Sequence, residues 1–183
     1  TVTEAVVETS AELNGYSGWS SSNYLSRASD ADWDVVGTGS CYMSIWFKSS
    51  GTSGTEFVFS FRKSDAAIEF SFLINNGLVY TRDNGATATV NFQSTTVYAD
   101  SVWHKMDFVR VSSTERHTYV DGVLINSSTT DAGSLSDSGN LPLAIGNTAA
   151  NSGATAATLA LARLSTTAPS ATQVRQMYDA EKG

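Results

Sequence analysis

Two histidines, four tryptophans, one cysteine and a scatter of carboxylates are the residues of this 183-residue chain that could do chemistry. Cleaving a glycosidic bond from a strand asks for two carboxylates spaced two residues apart, because alternate side chains share a face. The Glu residues of the strand-rich region are Glu56, Glu69 and Glu115, and none has an acid two residues away. A serine hydrolase would show Gly-x-Ser-x-Gly, which is absent. His104 and His117 fall on the two arms of a hairpin that turns near Ser112 to Thr114. Pairing about that centre sets Arg110 beside His117 and His104 beside Val123. The imidazoles then stand roughly 20 Å apart at about 3.4 Å per residue, too far to share a metal or a catalytic site. An enzyme is not expected.

Asp30-Ala-Asp32-Trp-Asp34 opens like a calcium loop. The sixth and twelfth positions, however, hold Val35 and Cys41 where the EF-hand needs Gly and Glu. A solvated acidic turn is the plainer reading. A lone cysteine excludes an intramolecular disulfide and a cysteine-based zinc site. Cys41 starts an apolar strand and reads as a small buried hydrophobe. No pattern assigns a metal ligand, and calcium is the one cofactor left open. Trp19, Trp33 and Tyr98 fall near turns rather than inside alternating runs. Aromatic faces on a rim can stack on sugar rings while nearby Asp and Asn accept hydroxyl hydrogen bonds. The competing reading is that these rings plug the ends of a sandwich. Asp83 and Asn84 are further ligand-binding candidates, although Asp-Asn-Gly is also an ordinary hairpin turn. Asn126-Ser-Ser128 fits a glycosylation sequon, a pattern common by chance.

The elements that must position these residues are strands. Phe70, Phe72 and Ile74 alternate with Glu69, Ser71 and Asn75, and Ile68 extends the run. Phe57, Phe59 and Phe61 alternate with Val58, Ser60 and Arg62, and Ala88, Val90 and Phe92 with Thr87, Thr89 and Asn91. Asn76-Gly77, Asn84-Gly85 and Asp121-Gly122 punctuate the runs, as type I′ hairpins require. Trp46 and Trp103 lie inside apolar strands and read as core. One segment differs. Ser170 and Gln173 form a capping box after Pro169, and Val174, Met177 and Tyr178 follow at helical spacing. A short helix should close the chain and dock on the sheets, after a last strand from Leu159 to Leu164.

These elements resemble a known family. Trp103-His-Lys-Met-Asp-Phe-Val-Arg110 followed by Thr118-Tyr-Val-Asp-Gly-Val-Leu-Ile125 is similar to the signature of the laminin-G-like, concanavalin-A-like jelly roll. Tyr24-Leu-Ser-Arg27, Cys41-Tyr-Met-Ser-Ile-Trp-Phe-Lys48, Leu141-Pro-Leu-Ala-Ile-Gly146 and Ala160-Leu-Ala-Arg163 resemble its other strands in the right order. The match runs from about residue 15 to the end. The resemblance implies ligands bound on the concave face or on the rim of loops. Polysaccharide-cleaving relatives use Glu-x-Asp-x-x-Glu or Glu-x-Asp-x-Glu, which this chain lacks. The pentraxin branch places acids just after its Leu-Gly strand end, whereas Gly146 here is followed by Asn147, Thr148 and Ala149.

Composition narrows the class. About a quarter of the chain is Ser or Thr, which suits strands and turns. A net charge of −7 argues against a nucleic-acid partner and against docking on anionic membranes. No apolar run is long enough for membrane insertion. The expected fold is an all-β, two-sheet antiparallel jelly-roll sandwich with a short C-terminal helix, forming a single domain over 1–183. The leading function is a non-catalytic recognition module for glycan or another cell-surface ligand, with phage host-receptor contact included. The alternative is an assembly or decoration domain contacting other parts of a virion or a parent chain, and glycoside hydrolysis stands last. All of these suit an extracellular or virion-surface location.

Overall fold

The computed structural model describes residues 3–6, 14–28, 39–62, 69–84, 88–133, 142–148 and 153–182. They form thirteen strands and one helix: β1 (Thr3–Val6), β2 (Asn14–Ser17), β3 (Leu25–Arg27), β4 (Cys41–Lys48), β5 (Thr55–Arg62), β6 (Glu69–Asn75), β7 (Leu78–Asn84), β8 (Thr89–Val97), β9 (Trp103–Ser112), β10 (Glu115–Val120), β11 (Val123–Ser128), β12 (Leu143–Ile145), β13 (Thr158–Ser165) and α1 (Ala171–Glu181). The strands make two antiparallel sheets. One runs β1-β2-β13-β4-β9-β10-β11 and the other β3-β12-β5-β6-β7-β8. This is the jelly-roll sandwich expected from the alternating runs.

Between the sheets lies a phenylalanine-rich core. Phe59, Phe61, Phe70 and Phe72 come from one sheet, and Met43, Ile45, Phe47, Met106 and Phe108 from the other. Phe70 and Phe108 meet across the gap with centroids 4.6 Å apart, within the range of favourable aromatic pairs. Each such ring contributes roughly 1.5–3 kcal/mol by leaving water. Cys41 is fully buried, and burial pushes its thiol up to about 12, so it behaves as the inert hydrophobe expected.

Asn76-Gly77 and Asp121-Gly122 have positive φ at both central residues, as their sequence requires. The β9–β10 register differs from the simple hairpin expectation. A bulge between Glu115 and Arg116 slips the pairing by one, so Arg110 faces Arg116 and His117 faces Val109. The slip turns Arg116, not His117, toward the inner face. There its guanidinium, fully buried, is ion-paired with the fully buried carboxylate of Asp83 on β7 of the opposite sheet. Arg116 also donates to the carbonyls of Ser113 (2.6 Å) and Thr130 (2.8 Å), and Arg110 to that of Gly133 (2.6 Å). Burial pushes the Asp83 carboxyl above its ordinary range, against the pull of Arg116.

Removing one partner of such a pair leaves a buried charge uncompensated. Arg116→Ala should therefore lose about 3–5 kcal/mol of stability. The double variant Asp83→Leu/Arg116→Met should lose less than Arg116→Ala alone. Urea midpoints of the three proteins check this; equal losses for single and double variants would refute it.

Candidate functional site

β4 departs from simple alternation, being buried along almost its whole length. Cys41, Met43, Ile45 and Phe47 face the inter-sheet core, whereas Tyr42 and Trp46 face outward beneath α1. The helix starts with the expected capping box. Ser170 Oγ accepts the Gln173 N–H (3.3 Å) and Gln173 Oε1 accepts the Ser170 N–H (2.8 Å). Val174 is fully buried against Tyr42, Val109 and Tyr119. The turn at Gly122 lies so close that a Cβ there would stand 3.0–3.2 Å from Arg175 and Tyr178.

A polar cluster fastens the far end of α1. Trp46 Nε1 donates to Glu181 Oε2 (2.7 Å), and Arg163 donates to Glu181 Oε1 (2.5 Å). Lys105 Nζ lies 3.1 Å from Asp107 Oδ1 and 3.7 Å from Glu181 Oε1, with both Lys105 and Asp107 fully buried. The Tyr42 hydroxyl donates to Asp107 Oδ1 (2.7 Å). Burial, and then the Asp107 charge, push the Tyr42 phenol far up, so it remains a donor. Trp46 stacks on Tyr178 at 5.7 Å with the planes 17° apart.

Past this stack a groove of about 340 Å³ opens on the outer face of the seven-stranded sheet. Trp46, Lys48, Ser101, Val102, Trp103, Tyr178 and Lys182 line it. Trp103 reaches over β4 and β13 to cover Gly15 of β2; a Cβ on Gly15 would stand 2.9 Å from its ring. Lys182 Nζ lies 5.2 Å from the Tyr178 centroid. The lip is built in advance. Ser101 holds φ 67 and donates its N–H to the Ser49 carbonyl (2.8 Å), and the Val102 N–H goes to Asp100 Oδ1 (2.9 Å).

His104 ties the lip to the turn that α1 rests on. Its Nδ1 meets Asp121 Oδ2 at 2.7 Å and its Nε2 meets Asp100 Oδ1 at 3.1 Å. Burial opposes charge on this imidazole. The hydrogen bonds and charges of Asp121 and then Asp100 outweigh it and hold the pKa above the ordinary value.

None of the described residues expected to bind a ligand lines this groove: Tyr98 packs, partly buried, against the inter-sheet core and lies edge-on to His104 at 5.0 Å. Trp19 is buried over Gly146 and donates to the Tyr16 carbonyl (3.1 Å), filling the sandwich edge. Asp83 is sealed in the ion pair at the opposite end, and Asn84, closing β7, accepts from Thr89. Trp33 and the Asp30 to Asp34 run lie outside the described residues. Among the described residues, no group of three or more His, Cys, Asp or Glu is arranged to hold a metal. No described helix is long and apolar enough to cross a membrane. Trp46 is buried as expected, but beneath α1 on the outer face of the sheet, whereas Trp103, also expected in the core, is only half-buried on that face. A second hollow of about 180 Å³, near Tyr16, Leu25 and Leu161, is almost wholly apolar and offers little to orient a polar ligand.

A family model for the concanavalin A-like lectin/glucanases superfamily, of laminin G type, matches residues 20–175. The chain belongs to that superfamily. Among solved members of similar fold is domain 4 of AbnA, a GH43 extracellular arabinanase from Geobacillus stearothermophilus, in complex with arabinotriose. It is 14% identical with a TM-score of 0.75, over 97% of this chain and 81% of that one. The receptor-binding domain of botulinum neurotoxin C/D mosaic serotype is 11% identical with a TM-score of 0.72, over 99% and 46%. Mouse laminin α1 domains LG4-5 are 11% identical with a TM-score of 0.65, over 84% and 42%. The chain thus spans less than half the length of the laminin and neurotoxin chains. No curated protein sequence matches it. At these identities the laminin-G-like fold is shared, while function is carried by the sites grafted on it.

Two outcomes are expected. Glu181→Ala strips the acceptor from Trp46 and the counter-charge from Arg163 and Lys105, so α1 should loosen. Faster amide exchange confined to 171–181 and a red-shifted tryptophan emission would show it; unchanged exchange in α1 would refute it. The raised His104 pKa contributes stability that is complete below about pH 6.5, the unfolded value, and is lost as pH climbs through the folded one. Thermal midpoints should accordingly fall on raising pH from 6 toward 9, and His104→Asn should remove that part of the slope.

Proposed function

We propose that this chain is a non-catalytic carbohydrate-recognition module and that it binds saccharide in the groove between Trp46, Trp103 and Tyr178. The observation that carries the reading is the convergence of two part-exposed aromatic side chains, Trp103 and Tyr178, with Trp46 buried behind Tyr178, on one open groove with a preformed lip. Sugar rings present C–H faces that pack on such planes, and the polar groups at the margins orient their hydroxyls. Preorganisation favours binding because little side-chain freedom remains to be lost. The arabinotriose complex of the AbnA domain supports a saccharide as ligand for this fold.

The carboxylates nearest the groove are engaged structurally. Glu181 is held by Trp46 and Arg163, and Asp100 and Asp121 by His104. That supports recognition without bond cleavage. In this reading 1–183 acts as one module at an extracellular surface, of a cell or of a particle, where glycans are displayed.

A glycan-array screen of the purified protein, run with calcium and again with chelator, tests the reading. Specific saccharides should be retained. Trp103→Ala should weaken their binding about tenfold or more, equivalent to roughly 1.4 kcal/mol, with an unchanged far-ultraviolet spectrum. Retention of no saccharide under either condition, or full affinity in the variant, would overturn it.

A further inference from the structure

The polar groups that line the groove are unusual for a chain with net charge −7. Lys48 and Lys182 border it, and among the described residues no carboxylate lines it. Neither lysine makes an ion pair among the described residues. The acids closest in sequence are committed elsewhere: Asp179 is clasped by Arg175 at 2.8 and 2.9 Å, and Glu181 points to Trp46 and Arg163 beneath the stack. Trp46 Nε1 is likewise spent on Glu181.

What is left for a ligand is mostly donors. A lysine ammonium offers three donors and no acceptor, and an indole N–H is donor only. The Ser101 and Tyr178 hydroxyls are the lining side-chain groups able to accept. A neutral saccharide, whose hydroxyls must both give and take hydrogen bonds, would find acceptors scarce. A ligand rich in acceptors and carrying negative charge would be matched. The acids beside the groove are each matched by another cation, Glu181 by Arg163 and Lys105, Asp179 by Arg175, and Asp100 and Asp121 by His104, and acids more than about 8–10 Å away are largely screened at physiological salt.

Building on the carbohydrate-recognition reading, we infer that the groove selects an anionic saccharide, one bearing carboxylate or sulfate groups. An apolar ring face packs on Trp103 and Tyr178, which Trp46 backs from beneath, and the anionic groups meet Lys48 and Lys182. Both lysines act as point charges and do not impose the fixed fork geometry of arginine, so uronate and sulfate are accommodated alike.

Titration calorimetry with three probes tests this: a pentagalacturonate, the same oligomer fully methyl-esterified, and a sulfated neutral pentasaccharide. The two anionic probes should bind at least about tenfold more tightly than the ester at low salt, and the gap should narrow as salt is raised. Lys48→Gln and Lys182→Gln should each lower affinity for the anionic probes several-fold, and by more than they lower affinity for the ester, so that the gap between them narrows. A preference for one anionic probe over the other would name the anion source. Ester binding as tight as pentagalacturonate, or a double lysine variant that keeps the preference, would overturn the inference while leaving saccharide recognition intact. Binding of none of the probes, together with an empty glycan array, would overturn both.

Discussion

The Lys105 amine sits wholly out of solvent on the outer face of a sheet, and the arrangement of that face follows from it. A buried cation needs compensation, and Asp107, the Tyr42 hydroxyl and Glu181 surround it. Two of these come from the sheet, but Glu181 comes from the last turn of α1. The helix is thus more than an apolar lid resting on Val174. It supplies a carboxylate to a cluster containing Lys105 and Arg163, and in doing so fixes its own position to within a hydrogen bond of Trp46. Pairs of this kind set geometry as much as they add stability, since a misplaced helix would leave charges stranded.

The groove inherits its shape from that docking. Tyr178 stands where it does because Glu181, one turn later on α1, is anchored, and Trp46 is held in the stack by its bond to the same carboxylate. On the other side, the Asp121-Gly122 turn touches α1 and is joined through His104 to the loop carrying Ser101 and Val102. The groove walls therefore come from three distant parts of the chain but share two fastenings, Glu181 and His104. Loop rims usually buy adaptability with disorder; here the lip is tied down by backbone hydrogen bonds before any ligand arrives.

Much of the fold was legible because period-two alternation, paired Gly turns and a capping box are local signals. Phe70, Phe72 and Ile74, the two type I′ turns and Ser170 with Gln173 lie where the pattern puts them. The site was harder. The apolar strands around Trp46 and Trp103 read as core, and Trp46 is buried, but under the helix and not between the sheets. Yet Trp46 shares its phase with Tyr42, Ser44 and Lys48, and Trp103 with Lys105 and Asp107, which marks them as outward. That parity was available in the sequence; the helix that buries one face and leaves a groove beside it was not. The Asp83–Arg116 pair was invisible for a related reason. A single bulge at Glu115 decides whether residue 116 or 117 points inward, and bulges leave no strong mark in sequence. Trp19 and Asp83 look like rim residues by position along the chain, and only the packing of the two sheets puts them inside.

The order in which the chain is made gives the Lys105 cluster a temporal meaning. α1 follows all the described strands, so during synthesis the seven-stranded sheet can assemble while its outer face is still wet and Lys105 and Asp107 remain hydrated. Dehydration of that face waits for residue 181 to leave the ribosome. Until then Trp46, Tyr42 and Val109 are open to any apolar surface nearby. Closure of this face is therefore a late event in the folding of the domain, in which one short helix both expels the water and builds the wall of the groove, so that a chain lacking α1 would leave Lys105 hydrated and the groove without that wall.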